Sequence, residues 1–254
     1  MKQSRSLGQV FLTDVRYIQR IVDHLPLDNA LVLEIGPGLG ALSERILTRT
    51  EFLYCVELDG RFAKALGKRF QHDSRLTVMN ADIRSFDLSS LPRAPVIVGN
   101  IPYAISNDLM RYLVANRHFF SCAFLTVQRE FADKLAARVS TKSFSYLSCY
   151  IQYYARVEKL FDIPARAFSP VPKVDSTFIK ITFYRQVPHC ASDESHLFTI
   201  VRAAFSQRRK KISNSLRSFI EDPTILKSLG IASCARAENI SLSQYVALAN
   251  ALCA

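Results

Sequence analysis

The sequence predicts an α/β protein: a Rossmann-like, doubly wound sheet domain over residues 1–185 and a small all-helical domain over residues 186–254. Three observations predict it. Ala30-Leu-Val-Leu33 is a short apolar run that passes through a glycine-rich turn at 36–40 into Leu42, Ile46 and Leu47 at helical spacing, the strand–turn–helix opening of a doubly wound unit. Further short apolar runs at 52–56, 77–79, 96–98 and 122–127 read as successive strands. Beyond a polar linker at 186–192, apolar residues recur only at helical spacing.

A chain of 254 residues suffices for one large domain and a small one. Hydrophobic residues make up 49%, with 17 Phe and 10 Tyr, which supports a packed core rather than a disordered chain. The formal net charge of +11 points to a polyanionic partner, most simply nucleic acid, with a basic protein lacking any such partner as the plainer alternative. No apolar run approaches the roughly 18–20 residues of a membrane span. Lys2 and Arg5 precede no apolar segment, so no secretory signal is expected. The six cysteines contain no C-x-x-C pair, and the five histidines share no ligand spacing. Reduced thiols, a cytoplasmic setting and no protein-bound metal follow as expectations.

In chain order, Leu7-Gly-Gln9-Val-Phe11-Leu12 is a short apolar lead-in, and Asp14 is a candidate N-cap for a helix over about 15–25. Ile18, Ile21, Val22 and Leu25 share its face, and Pro26 marks its end. After the strand at 30–33 the turn reads Glu34-Ile-Gly-Pro-Gly-Leu-Gly40, which departs from the G-x-G-x-x-G of dinucleotide folds. A carboxylate such as Glu34 would repel a pyrophosphate, whereas S-adenosylmethionine (SAM) carries a sulfonium, an ammonium and no phosphate. Glu57 ends the second strand about 20 positions beyond the glycines, where a carboxylate accepts from ribose hydroxyls. Asp82 ends the third and is placed to accept from an adenine amine. Helix N-capping is the structural alternative for Glu57 and Asp82; glycines, Glu and Asp at three successive strand ends favour a SAM-type site.

The fourth strand, Val96-Ile-Val, breaks at Gly99 and delivers Asn100-Ile-Pro-Tyr103. An amide accepts through its oxygen and donates through its nitrogen, proline keeps a carbonyl acceptor, and tyrosine offers a flat face. Two acceptors and a stacking plate suit a planar ring bearing an –NH2 group, such as a nucleobase; simple turn chemistry is the alternative. A fifth strand at 122–127 leads into a helix containing Phe131, Leu135 and Ala136. Residues 140–145 read as a loop, 147–154 as a helix and 157–163 as a strand. Phe168-Ser-Pro-Val-Pro-Lys173-Val-Asp-Ser176 is a loop stiffened by two prolines, and 177–183 is expected to close the sheet. In the helical part, Leu197, Ile200, Val201, Ala204 and Phe205 mark one helix, and Ile212, Leu216, Phe219 and Ile220 a second. Between them lies Ser206-Gln-Arg208-Arg209-Lys210-Lys211. Positive charge at a helix start opposes the helix dipole, which favours phosphate contact over a solvated helix end. Short helices after Pro223 and over 242–252 end the chain.

Together, Leu7-Gly-Gln9-x-Phe11-Leu12, the 34–40 turn, Glu57-Leu-Asp59, Asn100-Ile-Pro-Tyr103, the 168–176 loop and Val201-Arg-Ala-Ala-Phe205-Ser-Gln-Arg-Arg-Lys210 resemble the KsgA-type ribosomal RNA small-subunit adenine N6,N6-dimethyltransferases. The resemblance spans roughly residues 5 to 250. It implies SAM-dependent dimethylation of two adjacent adenosines near the 3′ end of small-subunit rRNA, on a 30S-type pre-ribosomal particle during ribosome biogenesis. Motifs that begin by residue 7 leave no room for a transit peptide, which suits a bacterial-type cytosol.

Carried over by position, the resemblance implies SAM contacts at Gln9, Val10, Leu12, Gly36, Gly38, Glu57, Leu58, Asp82, Ile83 and Asn100. It places the target adenine at Asn100, Pro102 and Tyr103, with Phe168 on its other face, and RNA contacts at Lys173, Arg208, Arg209, Lys210 and Lys211. The family usually has Asn or His where this chain has Val10, which removes a side-chain hydrogen bond while leaving a backbone contact available. Two rivals are carried forward: the large-subunit rRNA adenine methyltransferases of macrolide resistance, and a non-catalytic RNA-binding assembly factor. The Gly36–Gly40 turn and the 206–210 run favour the small-subunit group.

Overall fold

The computed structural model describes residues 10–232 and 234–253. Its contacts divide the chain into two compact units, Met1–Ala132 with Val157–Phe183, and Asp133–Arg156 with Tyr184–Ala254. The sequence-based boundary at 185/186 therefore differs by two residues, and residues 133–156 join the helical unit instead of the sheet unit.

In the first unit, β1 (Phe11–Leu12) precedes α1 (Val15–Asp23). Asp14 is the N-cap expected, accepting from the Arg16 amide at 3.0 Å, and α1 buries Ile18, Ile21 and Val22. Then follow β2 (Leu31–Ile35), α2 (Ala41–Leu47), β3 (Phe52–Glu57), α3 (Gly60–Arg69), β4 (Leu76–Asn80), β5 (Val96–Asn100), α4 (Ser106–Ala115), β6 (Cys122–Gln128) and α5 (Arg129–Leu135). Later come β7 (Ala155–Ile163), β8 (Phe168–Ser169) and β9 (Ser176–Phe183). The main sheet has the order β4-β3-β2-β5-β6-β9-β7, and β1 pairs with β8 in a separate two-stranded ribbon.

Strands β4, β3, β2, β5 and β6 run parallel. All five residues of β2 are buried, as a central parallel strand covered on both faces requires. The chain leaves β2 toward β3 on one side and β5 toward β6 on the other, so a crevice opens between the carboxyl ends of β2 and β5. Ligands of doubly wound sheets bind at such a switch point. Gly99 permits the close pairing there: a Cβ at this position would lie 2.8 Å from the Ile35 carbonyl oxygen.

Strand β9 pairs antiparallel with β6, from Cys122 opposite Thr182 to Gln128 opposite Ser176. The expectation that 177–183 closes the sheet is corrected: β9 lies inside it and β7 is the outer strand. Burial explains the order, because β9 is buried almost throughout whereas β7 exposes much of its length and carries Glu158, Lys159 and Asp162, residues suited to an edge. Phe161, Phe178 and Phe124 stack successively through the core, with centroids 5.2 and 6.1 Å apart.

The second unit contains α6 (Tyr146–Tyr154), α7 (Glu194–Ser206), α8 (Ile212–Ser215), α9 (Thr224–Ser228) and α10 (Leu242–Cys253). Residues 133–156 belong here because α6 packs on α7 and α10. The Tyr154 hydroxyl donates to Glu194 at 2.6 Å, and Tyr150 meets Phe198 edge-on at 5.0 Å. The second helix expected around 212–220 stops at Ser215. The Ser215 hydroxyl turns back onto the Lys211 carbonyl at 3.3 Å, side-chain competition that weakens helices, and residues 216–219 continue as turns.

Among the described residues no helix is long and apolar enough to cross a membrane. No cluster of His, Cys, Asp or Glu among them could hold a metal ion, and the six cysteines are free thiols.

Candidate active site

The turn after β2 takes left-handed backbone conformations at Gly36, Gly38 and Gly40, with φ of 66°, 53° and 80°. Gly38 is confined as well: a Cβ there would lie 2.6 Å from the Phe11 ring. Its amide donates to Glu57 Oε2 at 3.0 Å, while Glu57 Oε1 accepts from the Asp59 amide at 2.9 Å. Burial raises the Glu57 carboxyl and these two N–H groups pull it back. A carboxylate has about four acceptor positions, so two bonds leave Glu57 capacity for hydroxyl donors. Glu34 is wholly enclosed, takes a 2.6 Å bond from the Ser43 hydroxyl, and is pushed up to about 7 by burial.

Across the crevice, Asn100 ends β5. Its Nδ2 donates to the Val10 carbonyl at 2.9 Å, which leaves its Oδ1 as the free acceptor among the described residues. The following turn is pinned by the Ile101 amide on the Thr126 carbonyl at 3.0 Å. The Pro102 carbonyl is not the free acceptor the sequence suggests: a tight turn over 103–105 closes on it, with the Ile105 amide at 3.1 Å. The Ser106 hydroxyl approaches the same oxygen at 3.5 Å, so both of its lone pairs are engaged. Tyr103 is half-exposed, and its hydroxyl lies 3.1 Å from Ser176 Oγ.

Phe168 reaches the same place through the ribbon, in which Leu12 pairs with Phe168 and Phe11 with Ser169. The Ala167 carbonyl accepts from the Thr13 and Asp14 amides at 2.9 and 3.2 Å. Residues 10–14 thus tie the Phe168 loop to the start of α1 and, through Val10, to Asn100.

These groups enclose a cavity of about 280 Å³. Val10, Leu12, Gly36, Gly38, Glu57, Asn100, Pro102, Tyr103 and Phe168 all line it. Among the described residues its walls include the carboxyl groups of Glu34 and Glu57 and no lysine, arginine or histidine. Such a lining suits a cationic, hydroxyl-bearing ligand and disfavours a phosphate.

A profile of the ribosomal RNA adenine dimethylase family matches residues 1–253. The chain is 37% identical to the ribosomal RNA small subunit methyltransferase A of Methylobacillus flagellatus, over 98% of both chains.

The chain belongs to the ribosomal RNA adenine dimethylase family.

Among solved structures, it superposes on the 23S rRNA methyltransferase ErmE with a TM-score of 0.75 at 25% identity, covering 96% of this chain and 100% of that one. It also shares the fold of a dimethyladenosine transferase from Plasmodium falciparum, with a TM-score of 0.79 at 24% identity over 94% of this chain and 95% of that one. As an rRNA adenine dimethylase the chain uses SAM as methyl donor. The cavity fits that donor: the left-handed glycine turn brings backbone close, Glu57 faces it with spare acceptor positions, and no cationic side chain among the described residues lines it.

Several expected residues lie elsewhere. Gln9 is outside the described residues. Leu58 is exposed and Ile83 is buried, and neither lines the cavity. Asp82 is also outside it. Its carboxylate caps the turn at 83–85 and accepts from Arg84 Nη2 at 2.6 Å and the Arg84 amide at 2.9 Å, so the helix-cap alternative describes Asp82 in this structure. Asp59 likewise caps α3.

In the helical unit, Arg208 departs from the expected phosphate contact. It donates from Nε to Glu238 at 2.6 Å and from Nη2 to the Lys142 carbonyl, engagements that hold the 141–142 loop. Arg209, Lys210 and Lys211 are exposed and have no ion-pair partner among the described residues. Lys173 is likewise exposed. Sequence reading missed Thr126 and Phe178 in the cavity wall, the Val10 carbonyl and the Ser176 hydroxyl. Only Ser176 carried any signal, as the last residue of the 168–176 loop motif.

Proposed function

We propose that the chain dimethylates N6 of two adjacent adenosines near the 3′ end of small-subunit rRNA, within a 30S-type pre-ribosomal particle. The observation that carries the chemistry is Asn100: its amide nitrogen is held by the Val10 carbonyl at 2.9 Å, which leaves its oxygen as an acceptor in the wall shared by the glycine turn and Phe168. Support for the small subunit comes from the 37% identity to the Methylobacillus flagellatus enzyme, against 25% to the 23S rRNA methyltransferase.

SAM supplies an electrophilic methyl group on a sulfonium. The adenine amine is a poor nucleophile because its lone pair is delocalised into the ring. Accepting an N–H bond at Asn100 Oδ1 favours a tetrahedral nitrogen whose lone pair is freed for attack. With SAM bound, the amine nitrogen would take the methyl group as the C–S bond breaks, the electron pair staying on sulfur, and the amine proton would leave to water. Positioning is the principal catalytic contribution. After the first transfer one N–H remains, and the fixed Asn100 oxygen is the acceptor for it. Tyr103 and Phe168 replace the stacking that the adenine loses on leaving its helix.

Glu57 holds ribose hydroxyls of the donor. Lys173, Arg209, Lys210 and Lys211 contact phosphates, a sequence-independent source of affinity.

Tritiated methyl transfer from SAM to unmethylated small subunits, with large subunits in parallel and nucleoside analysis of the product, tests the reading. Dimethyladenosine confined to small-subunit RNA is expected. Label confined to large subunits would move the chain to the resistance-type group, and SAM binding without label on either would make it a binding factor.

A further inference from the structure

We propose that Ser176 is a positioning residue for methyl transfer, its hydroxyl holding the Tyr103 ring in the plane on which the target adenine stacks. The inference rests on the reading of Tyr103 given above and adds a residue to it. Tyr103 Oη and Ser176 Oγ are 3.1 Å apart, across 73 positions of sequence.

The topology explains why they meet. Strands β5, β6 and β9 are neighbours in that order, and β9 is antiparallel to β6 with Ser176 opposite Gln128. The first residue of β9 therefore lies at the carboxyl end of β6, beside the turn that follows β5. Tyr103 leans across the end of β6 to reach it.

The two ends of the bond differ. Ser176 is fully buried and immobilised on both sides. The Asp175 carbonyl accepts from the Arg129 amide at 3.0 Å, Asp175 Oδ1 accepts from the Ala165 amide at 3.0 Å, and the Thr177 hydroxyl donates to Asp162 at 2.6 Å. Tyr103 is half-exposed on a short turn. Among the described residues its hydroxyl makes this one hydrogen bond. A bond at the far end of the ring acts at the longest lever arm and resists rotation about both side-chain torsions, and a site built on a strand is held more closely than one on a loop. A buried serine hydroxyl is costly unless bonded, and here its partner is a residue of the cavity wall.

The test is a double-mutant cycle in the full-length enzyme: Ser176→Ala, Tyr103→Phe and the double variant, with Tyr103→Ala beside them, assayed on unmethylated small subunits. Ser176→Ala and Tyr103→Phe are each expected to lower kcat about tenfold, equivalent to about 1.4 kcal/mol of barrier, with SAM Kd unchanged within about twofold. The double variant is expected to be no slower than either single one, because both delete the same bond. Tyr103→Phe removes that bond from the exposed side, so the outcome does not depend on how Ser176→Ala folds. A Ser176→Ala loss that persists undiminished in the Tyr103→Phe background would overturn the proposal, since the hydroxyl would then act through packing. Full activity of Tyr103→Phe, with Tyr103→Ala inactive, would also overturn it while leaving the stacking role intact. Full activity of Tyr103→Ala would overturn the stacking role itself.

Discussion

Asn100 donates its side-chain nitrogen to the backbone carbonyl of Val10 at 2.9 Å. The amide nitrogen is thereby engaged, its oxygen is left without a partner among the described residues, and the segment that sets this lies 90 positions earlier in the chain. The side chain at position 10 takes no part in the bond.

Replacing Asn100 tests that relationship. Asn100→Ala should lower kcat at least about 100-fold, the scale of a lost transition-state hydrogen bond, with RNA affinity nearly unchanged in filter binding. Asn100→Asp should fare no better, because a carboxylate would face the Val10 carbonyl without a donor between them. Val10→Ala should retain kcat within about threefold, a change worth about 0.7 kcal/mol. Equal loss of turnover and RNA affinity in Asn100→Ala would count against a catalytic Asn100.

Gly38→Ala should weaken SAM binding by about tenfold or more, measured by calorimetry, and destabilise the chain by about 1 kcal/mol. Its φ of 53° disfavours any Cβ, and the added carbon would press on the Phe11 ring at 2.6 Å. Displacing Phe11 disturbs β1, and through it both Val10 and Phe168. Unchanged SAM affinity would show that the ribbon moves independently of the glycine turn.

Glu34 makes stability depend on pH. Burial pushes its carboxyl up to about 7 from an ordinary 4.5. Between those values the folded chain keeps a proton that the unfolded chain has lost, so this group's contribution to stability falls as pH rises through that window and levels off above it. The full effect is about 3 kcal/mol. Glu34→Gln removes the titration, so the variant's Tm should rise relative to that of the parent between pH 5 and 8. A constant Tm difference across that range would contradict a raised Glu34.

The basic run should separate into two roles. Arg208→Ala should cost about 1–2 kcal/mol of stability by unpairing the partly buried Glu238. The triple variant Arg209→Ala, Lys210→Ala, Lys211→Ala should leave Tm nearly unchanged. It should also weaken RNA binding and reduce the salt dependence of log K by about three. An unaltered salt slope would remove these three residues from the RNA interface.

Much of the fold and half of the site are legible in the sequence because the signals are local. The apolar run of β2, the left-handed glycines after it and the break at Gly99 each report a backbone conformation that neighbouring residues dictate. The order of the motifs then locates the carboxyl ends of β2, β3 and β5, where Gly36, Glu57 and Asn100 stand. Asp82 and Arg208 illustrate the limit. Each sits where a functional charge belongs, yet Asp82 is bound by Arg84 two positions away and Arg208 by Glu238 thirty positions away. Composition carries no record of which charges have already found a partner.

By itself, the sequence determined the strand–turn–helix opening, the break into a turn at 99–103 and the helical character of the C-terminal part, since periodicity and glycine stereochemistry act over a few residues. Only the tertiary structure decided that β9 lies inside the sheet, that Ser176 meets Tyr103 and that Val10 holds Asn100. Those outcomes depend on which distant segments share one end of the sheet. A backbone carbonyl is the same group at every residue, so chain topology alone selects the one that orients the Asn100 amide.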